Sequence, residues 1–171
     1  MFHQLRENGP AFLVPAAWLV VTAAVLGLVS THALFVAHVV MSALLVAFLV
    51  VSWREMTSGV LRAWKLVILA GTPVTLAGVI GFSVGDGIAG IGAELFLAVA
   101  LYGWILLPVP AFVYTGLRDD IAPRAYYVAA ACSVAGAIGV ALAAIPVEVA
   151  AGLLVVGVGQ TMGIITATVL H

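Results

Sequence analysis

Six apolar runs, each about the length of a bilayer crossing, fill almost the whole of this chain and leave only short polar links between them. A membrane-crossing helix needs roughly 20 mainly apolar residues. The runs extend from about Ala11 to Val29, Ala33 to Trp53, Lys65 to Val84, Ile91 to Gly116, Ala125 to Ile145, and Val147 to Leu170. Nothing outside them is long enough to build a water-soluble domain. Residues 1–171 therefore read as a single transmembrane domain.

The runs are continuous rather than alternating. Transmembrane β-strands would show about ten residues of alternating polarity. Here the apolar stretches are about twice that length and rich in the Gly and Ala that let membrane helices pack closely. Composition agrees: mean hydropathy is +1.29 and only 8% of residues are charged, against about 25% in soluble domains. Six Lys and Arg against seven Asp and Glu supply no basic field, which excludes a nucleic-acid partner. The expected fold class is all-α, an integral membrane protein in the cell membrane whose first partner is the lipid bilayer. The first run is longer than the apolar core of a usual secretory signal, and the segment before it mixes Arg6 with Glu7. It reads as a retained membrane helix.

The cations set an orientation. Arg6 precedes the first run; Arg54, Arg62 and Lys65 lie between the second and third; Arg118 and Arg124 lie between the fourth and fifth. The other three links carry none. Because Lys and Arg concentrate on the cytoplasmic side, six spans form three outward-turned helical hairpins with both termini cytoplasmic. Trp53 and Trp64 flank one basic link, and Tyr114, Tyr126 and Tyr127 the other, where amphipathic rings favour the headgroup level.

The first helices of the three hairpins share a pattern, a small pair three residues before a Gly: Ala23-Ala24 before Gly27, Ala77-Gly78 before Gly81, Ala135-Gly136 before Gly139. This is either a triplicated hairpin, as in transporters with internal repeats, or coincidence in an Ala-, Val- and Gly-rich chain. Gly81/Gly85 and Gly159/Gly163 are small-xxx-small pairs that seat a neighbouring helix or another subunit. A bundle this small points to a homo-oligomer or to partner membrane subunits.

Ionisable groups at membrane depth are costly and are the first candidates for function. His38, Glu94 and Glu148 lie near the outer ends of the second helices of the three hairpins. Together they could bind a cation, relay a proton or guard a pore mouth; alternatively, each is simply wetted at the interface. Gln160 falls near the midplane, and an amide there needs a partner. Thr72, Thr75 and Ser133 are further buried polar candidates, and the proline-interrupted third and fourth spans could form a functional hairpin together with Trp104 and Tyr102. Pro73, Pro108 and Pro110 each remove a backbone donor and bend or break a helix. The substrate- or ion-binding set is thus His38, Glu94, Glu148 and Gln160, and the leading function is a small-solute or cation transporter or channel with a polar outer mouth.

Two other classes remain open on sequence. One is a non-catalytic membrane subunit or assembly partner of a larger complex. The other is a redox protein holding haem or quinone near His38. His32 and His38 stand about 120° apart on a helix and cannot share a metal, and nothing selects Met41 or Met162 as a second ligand. Enzymatic catalysis ranks last: the single Cys132 has no partner thiol, no nucleophile elbow or His-Glu-x-x-His pair occurs, and the Gly-rich turn from Gly85 to Gly92 lacks a phosphate-loop lysine. Arg118, Asp119, Asp120 and Arg124 read as an ion-pair cluster anchoring their link, or a docking point for another subunit.

Overall fold

The structure, a computed structural model, describes residues 2–84 and 90–170, with side chains from residue 12. Every regular element among the described residues is an α-helix: α1 (Phe2–Val25), α2 (Thr31–Ser52), α3 (Gly59–Ser83), α4 (Ala93–Leu106), α5 (Pro108–Gly116), α6 (Pro123–Leu142) and α7 (Pro146–Leu170). Five stretches among the described residues are long and apolar enough to cross a membrane: α2, α3, α4 with α5, α6 and α7. The architecture fits a multi-pass membrane protein. The described apolar part of α1 is shorter, Phe12–Val25. Arg6, Glu7, Gly85, Asp86 and the termini His3 and His171 lie outside the residues or side chains described.

Local chemistry explains the helix ends. Ser30 is the N-cap of α2, its hydroxyl accepting the Ala33 N–H at 3.2 Å. Gly27 closes α1 at φ +75°: its N–H bonds Ala24 O and the Leu28 N–H bonds Ala23 O. That double bond is the Schellman termination, which needs a residue free to turn left-handed. Gly27 therefore ends a helix, whereas Gly81 and Gly139, its counterparts in the repeated pattern, lie inside α3 and α6. The three motifs do not do the same job. Pro108 lacks the N–H that would bond Trp104 O, and the long fourth run divides at Leu107 into α4 and α5.

The helices gather into two compact units. Residues 1–29 and 112–171 make one, residues 30–111 the other. In the first, α7 packs against both α6 and α1; in the second, α3 packs against both α2 and α4. The first hairpin of the sequence reading is therefore shared out, α1 in one unit and α2 in the other.

Each unit is built on a central helix with a stripe of small residues. Lipid gives apolar helices little reason to associate, so they gain contact by close backbone approach. On α7, Gly152 lies against Val140, Gly157 against Trp18, Gly159 against Cys132, and Gly163 against Phe112 and Ala129. On α3, Gly71 seats Trp104, Gly78 seats His38 and Gly81 seats Leu97. The pair Gly159/Gly163 thus serves packing within the chain, as does Gly81.

Candidate functional site

The four residues singled out for binding divide evenly between the units. His38 and Glu94 belong to the α2–α3–α4 unit; Glu148 and Gln160 belong to the α1–α6–α7 unit.

His38 is half-buried on the face of α2 that meets α3. Its Nδ1–H donates to Leu34 O at 2.9 Å, one turn back. That bond leaves Nε2 as the nitrogen free to accept in the neutral ring. The Cδ2–Nε2 edge rests on Gly78, where a built Cβ would come within 2.7 Å of Nε2. Only glycine admits the imidazole there. On its other side the ring meets Phe82 edge to face, centroids 5.1 Å apart at 62°. Phe82 also lines an open hollow of about 300 Å³, walled by Thr31, His32 and Phe35 of α2 and by Ser83 of α3. His38 thus sits behind an aromatic side chain that faces a polar-rimmed opening.

Glu94 is in the first turn of α4 and exposed. The residue before it, Ala93, turns its carbonyl toward Gly81. His38 and the start of α4 therefore contact α3 at levels three residues apart, about 4.5 Å along its axis. The central helix thus meets the His38 ring and the backbone just before Glu94 at adjacent depths.

Glu148 and Gln160 have local partners. Glu148 is the third residue of α7, and its Oε2 accepts the Ala144 N–H at 2.8 Å. The carboxylate thus reaches back past the helix start, where the positive end of the helix dipole also favours it. Gln160 is buried, 4% exposed. Its Oε1 accepts the Trp18 indole N–H at 3.1 Å, and its Nε2 donates to Ser133 Oγ at 3.3 Å; Ser133 in turn donates to Ala129 O at 2.9 Å. The amide ties α1, α7 and α6 together. Trp18 was not apparent from the sequence as its partner. The available signal was a tryptophan well inside a span, away from the interface where such rings normally find water.

The other unit repeats the device. Trp104 Nε1 donates to Thr75 Oγ1 at 2.9 Å, and Thr75 donates to Gly71 O at 2.9 Å. Thr72, on the neighbouring face, bonds Ile68 O. These hydroxyls serve the helix backbone, as polar side chains in hydrocarbon must.

Arg118 lies over the Tyr114 ring, 4.6 Å from its centroid, and Asp119 Oδ1 accepts the Ile121 N–H in a local turn.

No group of three or more His, Cys, Asp or Glu among the described residues could hold a metal ion. Haem does not fit His38. With Nδ1 bonded to Leu34 O, the iron would have to be reached through Nε2, and α3 fills the space beside that edge. Compared with protein-family models, curated proteins and solved structures, the chain matches none.

Proposed function

We propose that the protein is a six-span membrane protein that passes a small cation or solute through the α2–α3–α4 unit, entering at the hollow in front of Phe82. The observation that supports this reading is His38: a titratable side chain at membrane depth, separated from an open hollow by one aromatic ring. An ionisable residue in a span is expensive and is kept where it works. Glu94, exposed in the first turn of α4, is the second ionisable group assigned to this route. Glu148 and Gln160, bonded locally in the other unit, contribute stability to this scheme rather than the route.

Reconstituted in liposomes with imposed gradients of H⁺, Na⁺ and K⁺ in turn, the protein should dissipate at least one. His38→Ala and Glu94→Gln should each lower that flux at least tenfold while leaving the thermal unfolding midpoint within a few degrees. Flux unchanged in both variants defeats the proposal.

The sixth span in this reading is α1. Its 24 residues extend about 36 Å at 1.5 Å per residue, and it packs on α7. Both termini and both basic links then share the cytoplasmic side. In a Cys132→Ala background, a cysteine placed at Thr57 should react with an impermeant thiol reagent only after the membrane is opened. One placed at Asp86 should react from outside. Outside labelling at position 57 overturns the orientation.

A further inference from the structure

We propose that the basic end of the α2–α3 unit is a binding site for an anionic phospholipid, with the phosphate at Arg54 and one acyl chain along the last two turns of α2. The inference rests on the chain lying in a bilayer, not on transport, so a failed flux assay leaves it standing.

The argument starts from a cleft of about 480 Å³ lined by Val46, Leu49, Val50, Val51, Trp53 and Arg54. Four aliphatic side chains lead to a tryptophan and end at a guanidinium. That sequence of chemistries is the sequence along a phospholipid: hydrocarbon, interface, charge. Val50 is 73% exposed and Val51 65% exposed, so the apolar part faces outward.

The polar end is organised by its own contacts. Lys65 Nζ donates to Trp53 O at 3.3 Å and stands 4.5 Å from the centroid of the Trp53 ring. The ammonium fixes the indole as one wall of the cleft and brings its own charge there. Arg54 and Arg62 are exposed. Between Trp53 and Lys65 the chain carries three cations against one carboxylate, Glu55. Orientation alone would need these cations anywhere on the link. It does not explain why one of them closes an apolar cleft whose tryptophan another holds. Arginine suits a phosphate because its planar fork can bond two oxygens at once.

The test compares phosphatidylglycerol with phosphatidylcholine, both spin-labelled on the acyl chain, at the surface of the full chain in mixed vesicles. Wild type should select phosphatidylglycerol several-fold, and Arg54→Gln should reduce that selectivity roughly fivefold, the worth of one basic residue at the headgroup level. Arg54→Lys should restore part of it. Arg118→Gln, on the other basic link, should leave it unchanged. Equal association of the two lipids with wild type overturns the proposal, as does an Arg118→Gln loss equal to that of Arg54→Gln. Suppression of the selectivity by millimolar inorganic phosphate would assign the site to free phosphate and also overturn it.

Discussion

Gly136→Ala should destabilise the protein by about 1–3 kcal/mol, the usual cost of forcing one more methyl into a filled interior. A Cβ built at Gly136 falls 2.6 Å from Gly152 O and 3.2 Å from the Val156 N. Both are backbone atoms of α7, so neither can swing aside as a side-chain tip could; α6 and α7 would have to separate. Separation loses dispersion contacts along the whole pair, and those contacts are what hold helices together in lipid. Gly139→Ala, one turn along the same helix, is the control. Its Cβ would meet only Gly152 Cα, at an ordinary 3.6 Å. Alanine is also the better helix former, by up to about 1 kcal/mol, so this variant should be neutral or stabilised. Thermal or denaturant unfolding in detergent, followed by circular dichroism, separates the two. Equal stability of the two variants would mean that α6 and α7 do not approach this closely.

The same pair of glycines shows how much of the fold the sequence makes legible. Hydropathy locates the apolar runs because the cost of leaving a backbone group unpaired in hydrocarbon forces each run to pair its backbone as helix. It finds five of the six as full-length apolar helices. The kink at Pro108 is legible for the same local reason, a missing donor. Which helix lies against which is a different kind of information. It is carried by which small residue faces which large one: Gly71 under Trp104, Gly78 under His38, Gly157 under Trp18. In a chain with 18 glycines, one string does not pair each with its partner. Gly27, Gly81 and Gly139 occupy matching places in a repeated motif, yet one terminates a helix and the others lie within helices. The candidate site was legible in its ingredients, since His38 and Glu94 stand out as ionisable side chains among apolar residues. Their common support on α3 was not, because it depends on Gly78 and Gly81, which look like any other glycine until α2 and α4 are laid against them.

Gln160→Leu should cost about 1–3 kcal/mol, chiefly because it leaves the Trp18 indole N–H without its acceptor in an apolar interior. Ser133 loses less, since its own hydroxyl still donates to Ala129 O. Trp18→Phe should also destabilise, by taking the indole donor away from Gln160 Oε1 and by leaving space where the second ring of the buried indole stood. The informative variant is the double one. With both polar partners gone, neither strands the other, and the double variant should be more stable than the sum of the two losses implies. The difference should be near the 0.6–1.7 kcal/mol measured for hydrogen bonds between membrane helices. Strict additivity would show that the bond joining α1 to α7 contributes nothing. The double-mutant cycle also separates a structural amide from a conducting one. If Gln160 lined the route, Gln160→Leu would reduce flux per folded molecule, and Trp18→Phe, which keeps the amide, would not. Because both ends of the amide are bonded within the α1–α6–α7 unit, the expected result is that the two variants lose folded protein and retain flux per folded molecule alike. The polar groups of the α1–α6–α7 unit then act as helix ties.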